Sequence, residues 1–210
     1  MKDNYILTAE SVTAGHPDKL CDTIADSILD ACLKDDPNAR VACEVLATAG
    51  KILVAGELRT TANPDVEAIV RQVVRNAGYD CNYHVEVRLH TQSPDIAGAV
   101  DGDTLGAGDQ GIMFGYAKKE KGFDSDYMPL AIYWADRILQ NLAQARHSGE
   151  IIGIEPDAKS QVTLEYDEDG TPKGIKTIVL STQHNENLSQ EEVRRIACRY
   201  VEQTLPAGWM

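Results

Sequence analysis

The residues best suited to chemistry lie within ten positions near the start of the chain, in the sequence ESVTAGHPDK from Glu10 to Lys19. Pro17 suits the first position of a helix, because a helix start leaves that N–H unpaired in any case. His16 therefore lies at the mouth of a predicted helix, with Asp18 in its first turn. Such a helix start favours a phosphate, and a carboxylate there can share Mg²⁺ with it. The stretch predicts an anion-and-metal site, although a capped surface helix with solvated charges explains an isolated motif equally well.

The chain of 210 residues is strongly acidic, with a formal net charge of −13 at pH 7. Nucleic acids and anionic membranes both attract basic surfaces, so this charge argues against either one as a partner. The five cysteines are scattered and form no CxxC pair, which fits reduced thiols better than a disulfide framework or a zinc site. The sequence shows neither an apolar leader nor a run that could span a membrane, and we expect a cytoplasmic protein.

The first half of the chain predicts two helices, a hairpin and a strand. Apolar residues recur at every fourth position over 17–34, which indicates a helix. Two β-rich runs over 40–61 are separated by a turn signal and predict a hairpin, with Glu44 on the face opposite the apolar one. Residues 64–77 have the pattern of a second helix, and the alternation over 83–91 predicts a strand.

The second half repeats this order in part. A helix is predicted over 128–146, a hairpin over 161–183 and a last helix over 189–205, with Ser189 and Glu192 forming a capping box at its start. We therefore expect an α/β fold of the α+β type, made of pseudo-symmetric repeats in which helices cover β-sheet. No strand follows the last predicted helix, so we expect the second repeat to have an open sheet edge.

A glycine-rich stretch lies between the two repeats. Five glycines fall between Gln92 and Gly111 with almost no large apolar residues, which indicates a long mobile loop of the kind that serves as a lid or a binding loop. We accordingly predict a first domain over 1–97, a mobile loop over 98–111 and a second domain over 112–210.

The stretch from Glu10 to Lys19 resembles the N-terminal signature of the S-adenosylmethionine synthetases, or methionine adenosyltransferases. Six further segments resemble motifs of that family and follow its order: ACE at 42–44, GE at 56–57, QSPDI at 92–96, GAGDQGIMFGY at 106–116, PDAKSQVT at 156–163 and LSTQH at 180–184. The resemblance implies three pseudo-symmetric domains, of which two are present here and the C-terminal one is absent.

The resemblance also implies a reaction, in which the methionine sulfur attacks the ribose C5′ of ATP. The whole triphosphate leaves and is then cleaved to pyrophosphate and phosphate. Such chemistry needs in-line alignment and stabilisation of the charge on the leaving group rather than a general base. His16 and Lys159 are the implied catalytic residues. The implied contacts are His16, Asp157, Ala158 and Lys159 for ATP; Glu57, Gln92 and Asp109 for methionine; and Glu10, Asp18 and Glu44 for metal.

The resemblance implies two Mg²⁺ ions per site and a K⁺ ion at Glu44. It further implies a homodimer or tetramer with active sites between subunits. Because the cations that the family's C-terminal segment contributes are absent, we predict weak or no synthesis by this chain alone. Two alternatives remain open: a non-catalytic binding or regulatory subunit, and one half of a split enzyme that a second polypeptide completes.

Overall fold

A computed structural model describes residues 4–80, 82–91 and 110–209. The chain divides into two compact units, one made of residues 1–16 and 116–210 and the other of residues 17–115. We call them the split unit and the continuous unit. The predicted loop over 98–111 lies almost wholly outside the described residues, so the loop and the domain boundaries beside it stay predictions.

The described part of the chain contains six strands and four helices. In chain order they are β1 (Tyr5–Val12), α1 (Pro17–Asp35), β2 (Arg40–Thr48), β3 (Lys51–Arg59), α2 (Val66–Ala77), β4 (His84–Thr91), α3 (Leu130–Ser148), β5 (Ile154–Tyr166), β6 (Pro172–His184) and α4 (Gln190–Thr204). None of the helices in the described ranges has the length and apolar character needed to cross a membrane.

The continuous unit contains a three-stranded sheet in the order β2-β3-β4, with β2 antiparallel and β4 parallel to β3. Its core forms where the buried side of α1, with Ile24 and Ile28, packs with Val54 of β3 and Val70 of α2. Gly56 in β3 has φ +140°, and a Cβ there would overlap the carbonyl oxygen of Ala42 on the neighbouring strand β2. The β2–β3 pairing therefore requires glycine at this position.

The split unit contains a second sheet in the order β1-β5-β6, with every neighbouring pair antiparallel. Its core includes Ile138 of α3, Val162 and Leu164 of β5, and Val201 of α4, all buried. The strand β1 lies about 150 residues from its partner in sequence, with Glu10 opposite Gln161. The start of the chain thus contributes a strand to the sheet of its second half.

A buried carboxylate outside the regular elements fixes the start of α3. Glu120 is 2% exposed, and its Oε1 accepts hydrogen bonds from the backbone N–H of Leu130 at 3.0 Å and from the hydroxyl of Tyr166 at 3.1 Å. The ammonium of Lys118 lies 2.8 Å from its other oxygen and 4.3 Å from the centre of the Tyr166 ring. Since Pro129 offers no side-chain cap, Glu120 serves that role from a distance.

The expected α/β fold with helix–hairpin–helix repeats is confirmed in both units. The predicted capping box at Ser189 is present, with both reciprocal hydrogen bonds formed. The second helix begins at Val66 rather than at residue 64, because Asp65 accepts a hydrogen bond from Ala68 and caps it there. The second repeat also has three strands rather than two, since β1 joins it.

Candidate functional site

The pairing of β1 with β5 brings two of the sequence motifs side by side in the split unit. Glu10 lies opposite Gln161, and Val12 lies opposite Lys159. Along β5 the side chains alternate between buried and half-buried, with Lys159 and Gln161 on the half-buried side. Residues that ESVTAGH and PDAKSQ contribute therefore occupy one open face of the sheet, opposite the core.

An ion pair joins the two motifs on that face. Lys159 Nζ lies 2.7 Å from Glu10 Oε1, with the Lys159 side chain 44% exposed and that of Glu10 50% exposed. Gln161 Nε2 donates a longer hydrogen bond of 3.5 Å to the other Glu10 oxygen. The hydrogen bond from Lys159 is the main cause that lowers the pKa of the Glu10 carboxyl, and the charges of Lys159 and His16 act in the same direction. An ammonium and an imidazole thus share the environment of one carboxylate.

The backbone beyond β1 is joined to the start of β5 through Thr13. Its buried hydroxyl donates to the carbonyl of Pro156 at 2.7 Å and accepts from the backbone N–H of Ala158 at 2.8 Å. The Thr13 N–H donates to the Ala158 carbonyl at 2.9 Å. This set of bonds holds the Thr13–His16 turn against the strand that carries Lys159.

Gly15 explains how the Thr13–His16 turn can lie so close to Pro156. A Cβ at this position would lie 2.5 Å from Pro156 Cβ and 2.6 Å from its carbonyl oxygen, closer than any real contact. His16 follows, with its backbone N–H donating to the Thr13 carbonyl at 3.0 Å, and its side chain is half-buried. The absence of a side chain at Gly15 therefore allows the Thr13–His16 turn to lie directly against Pro156.

Two further predicted ATP contacts lie at the start of β5. Asp157 is half-buried and falls on the Lys159 side of the alternation. Ala158 is 3% exposed, and both its backbone N–H and its carbonyl are bonded to Thr13. The split unit thus brings Glu10, the His16 turn, Asp157 and Lys159 to one end of the β1–β5 pair.

Other predicted site residues belong to the continuous unit. Asp18 is exposed in the first turn of α1. Glu44 is exposed on β2, opposite the face that packs in the core, as the alternation predicted. Glu57 is half-buried on β3, next to Gly56 and opposite Ala42. The remaining two predicted methionine contacts, at 92 and 109, lie outside the described residues.

The predicted metal ligands are carboxylates, the hard oxygen donors that Mg²⁺ and K⁺ favour. Residues 4–80, 82–91 and 110–209 contain no group of three or more His, Cys, Asp or Glu side chains close enough to hold an ion. A Mg²⁺ ion bound to substrate needs only one or two protein carboxylates, since phosphates complete its shell. The donor chemistry of Glu10, Asp18 and Glu44 fits, but no described cluster is preformed, and the metal assignments stay predictions.

Comparisons with known proteins identify the family to which the chain is similar. A sequence profile described as the S-adenosylmethionine synthetase N-terminal domain matches residues 4–102, and one described as the central domain matches residues 104–210. The second profile by itself covers half of the chain. The chain belongs to the S-adenosylmethionine synthetase family.

Curated members of the S-adenosylmethionine synthetase family resemble the whole chain. A protein of Rhodospirillum centenum named S-adenosylmethionine synthase is 47% identical, over 100% of this chain and 56% of that protein. Proteins of the same name from Parvibaculum lavamentivorans and Granulibacter bethesdensis are each 48% identical, over 99% and 100% of this chain. The chain thus spans about 56% of the length of these synthases.

Two residues beside the candidate site carry interactions that the sequence analysis did not predict. Thr13 lies inside the first motif and Gln161 inside the second, yet neither was assigned a role. The alternation of β5 could have placed Gln161 beside Lys159. The link from Thr13 to Pro156 spans 143 positions, so no local pattern indicated it.

Proposed function

We propose that this chain carries part of the active site for synthesis of S-adenosylmethionine from ATP and L-methionine. The methionine sulfur would attack the ribose C5′, the C5′–O bond would break, and the triphosphate would leave with the bonding electron pair. Hydrolysis of the triphosphate would then give pyrophosphate and phosphate. A thioether has no proton to lose, so the site must align the reactants and stabilise the leaving group.

The observation that carries this proposal is the arrangement of Lys159 and the His16 turn at one end of the β1–β5 pair. A lysine ammonium is a suitable point charge for a phosphate. The Lys159 ammonium is half-exposed and paired with Glu10, so a bound triphosphate would compete with that carboxylate for it. The imidazole of His16 would donate to the oxygen between ribose and triphosphate, where negative charge grows as the C5′–O bond breaks.

The remaining residues would bind and orient substrate. Asp157 and Ala158 would contact ATP beside Lys159. Glu57 with Gln92 and Asp109 would contact methionine, a carboxylate being suited to its ammonium group. Glu10 and Asp18 would hold two Mg²⁺ ions and Glu44 a K⁺ ion; when bound, these cations would neutralise triphosphate charge.

The proposal also includes the oligomeric state and the polypeptide that would complete the active site. Family resemblance supports a homodimer or tetramer with sites between subunits, in the cytoplasm. Because the chain spans about 56% of its curated relatives, we propose that efficient synthesis also needs the part of those proteins that it does not match, either in one polypeptide or from a second chain. The alternative, a non-catalytic binding subunit, predicts that the chain binds substrate but forms no product, whether or not the unmatched part of its relatives is added.

The test is to mix the purified chain with ATP, L-methionine, Mg²⁺ and K⁺ and to measure S-adenosylmethionine and phosphate products by mass spectrometry. A parallel reaction would add the unmatched part of the Rhodospirillum centenum protein, expressed separately. We expect little product from the chain alone, more in the second reaction, and a loss of about 10²-fold in the His16→Ala variant. His147→Ala, at an exposed histidine of α3, is the matched control and should keep full activity.

Binding of ATP, measured by equilibrium dialysis, separates the remaining outcomes. Lys159→Met should weaken it, whereas Lys173→Met should not, although Lys173 is similarly exposed and also faces a glutamate, at 3.5 Å. Binding in the absence of product in both reactions would support the non-catalytic subunit. If ATP does not bind and product never forms, the proposal is wrong.

A further inference from the structure

The side chain of Thr13 takes the place of backbone at the end of the β1–β5 pairing. The pairing ends at Val12 and Lys159, so Thr13 would face Ala158 if it continued. Alternate facing pairs of antiparallel strands exchange two backbone hydrogen bonds. The first is present, since the Thr13 N–H donates to the Ala158 carbonyl at 2.9 Å. In the second, the Ala158 N–H donates at 2.8 Å to the Thr13 hydroxyl, which replaces the expected backbone carbonyl.

The carbonyl of Thr13 takes part in the turn instead. It accepts a hydrogen bond of 3.0 Å from the backbone N–H of His16, which closes the Thr13–His16 turn. Without the hydroxyl, the Ala158 N–H would need another acceptor, and the Thr13 carbonyl is the one that a continued strand would supply. The hydroxyl of Thr13 therefore determines where β1 ends and where the turn that carries His16 begins.

The Thr13 hydroxyl is buried and its bonding capacity is in use. Thr13 is 9% exposed, and its hydroxyl donates to the Pro156 carbonyl at 2.7 Å, with the Ala158 carbonyl farther away at 3.2 Å. One donated and one accepted bond fix the orientation of a hydroxyl that could otherwise rotate. Asp157 lies between the two partners of Thr13, and Lys159 follows them directly. The same side chain thus joins the His16 turn to the segment that carries the predicted phosphate contacts.

We propose that Thr13 is a positioning residue, whose hydroxyl fixes the place of the His16 imidazole relative to Lys159 and acts on the reaction only through His16. The inference rests on the proposed function, in which both side chains meet the triphosphate. Thr13 itself would not contact substrate, since its hydroxyl is buried and bonded to backbone. His16 would act on the oxygen that gains charge as the C5′–O bond breaks, so its placement should affect the rate more than the binding of ATP.

Replacement of the Thr13 hydroxyl by a methyl group tests the proposal. Thr13→Val keeps the shape of the side chain but leaves the Ala158 N–H without its acceptor, whereas Thr13→Ser keeps the hydroxyl. The matched control is Thr204→Val, in α4. The Thr204 hydroxyl also donates to a carbonyl, that of Tyr200 at 2.6 Å, and also accepts from an N–H, that of the Asn141 side chain at 2.8 Å. The control therefore loses the same kinds of hydrogen bond at a place outside the candidate site.

The first measurement is the rate of product formation per folded protein, in the reaction that adds the unmatched part of the Rhodospirillum centenum protein. We expect Thr13→Val to lower the rate about tenfold with little change in the KM for ATP, because a displaced group near the reacting atoms affects the transition state. Thr13→Ser and Thr204→Val should keep the parent rate. In a His16→Ala background, Thr13→Val should cause no further loss, since His16 is no longer there to be positioned. An unchanged rate, an equal loss in both backgrounds, or a loss that Thr204→Val reproduces overturns the proposal.

Hydrogen exchange of the chain alone, followed by NMR, tests the positioning role without the reaction. In Thr13→Val the amides of Ala158 and His16 should exchange at least about tenfold faster, while the amide of Val162 inside β5 should not change. Faster exchange at His16 with no product in any reaction would support the positioning role and contradict the proposed reaction. Unchanged exchange at His16 overturns the inference whether or not product forms. If Thr13→Val does not fold by circular dichroism, Thr13→Ala removes the same hydroxyl without adding a second methyl group.

Discussion

The buried network around Glu120 allows a stability change to be worked out in advance. Replacing Glu120 by alanine leaves the Lys118 ammonium, whose side chain is 22% exposed, without its counter-charge. It also removes the acceptor for the Leu130 N–H and the Tyr166 hydroxyl. Breaking a buried ion pair costs about 3–5 kcal/mol, and each orphaned donor about 1–3 kcal/mol. Since these terms share one network and do not add, we expect about 4 kcal/mol for Glu120→Ala.

Two further variants separate charge from hydrogen bonding. Glu120→Gln keeps an oxygen that can accept from Leu130 and Tyr166 but leaves the lysine charge unpaired, so we expect a loss of about 3 kcal/mol. Adding Lys118→Met to Glu120→Gln removes both charges and should recover most of that loss, because a buried pair contributes little relative to an uncharged replacement.

Urea unfolding followed by tryptophan fluorescence provides the measurement. Both tryptophans of the chain, Trp134 and Trp209, belong to the split unit and pack around its core. The signal therefore reports on the unit that contains Glu120. Lys121→Met, which breaks an exposed pair with Asp169, is the matched control and should cost less than about 1 kcal/mol. A Glu120→Ala loss as small as the control, or a double variant no more stable than Glu120→Gln, would refute the reasoning.

Three other predictions follow from single contacts. Gly56→Ala places a Cβ against the Ala42 carbonyl. We expect it to lower the free energy of unfolding of the continuous unit by at least about 2 kcal/mol, measured by native-state hydrogen exchange of its strands in increasing urea. Ser189→Ala removes the N-cap hydroxyl of α4 and should cost about 1 kcal/mol in the tryptophan signal. The pKa of Glu10, measured by NMR titration, should lie below the ordinary glutamate value, and Lys159→Met should raise it. Because the folded-state pKa is the lower one, the stabilising effect of ionised Glu10 is complete above the ordinary value and disappears as pH falls through the folded-state pKa.

Each of these predictions has a result that contradicts it. If hydrogen-exchange protection of β2 and β3 is unchanged in Gly56→Ala, the two strands can accommodate the added Cβ without a loss of stability. A Ser189→Ala protein as stable as the parent chain would show that Glu192 alone satisfies the helix start. An unchanged Glu10 titration in Lys159→Met would show that the 2.7 Å ion pair does not persist in solution.

Elements defined by local patterns could be predicted from the sequence. The four-residue spacing of Leu20, Ile24, Ile28 and Cys32 predicted α1, and all four are buried. The predicted end of the second helix at residue 77 is confirmed, because Gly78 follows it with a left-handed φ of 99°. Such features depend on neighbouring residues, so periodicity and capping chemistry are sufficient to identify them.

Features that depend on distant partners could not be predicted in the same way. The location of β1 beside β5 depends on a pairing across about 150 residues, and the sequence reading left that repeat one strand short. The cap that Glu120 provides for α3 comes from ten positions upstream, outside any capping box. In the site, the resemblance named Glu10 and Lys159 separately, but only the strand register puts their side chains in contact.

The return of β1 to the sheet of the second half has a consequence for the order of events during synthesis. The first strand leaves the ribosome long before its partner β5, which ends at Tyr166. At roughly 5–20 residues per second, the 151 positions between Glu10 and Gln161 correspond to about 8–30 seconds. The continuous unit, encoded between them, can collapse during that interval while β1 and the Thr13–His16 turn have no partner. The motif from Glu10 to His16 is thus translated early but is among the last parts of the chain to become structured. A nascent chain stalled before β5 would expose this motif to proteases.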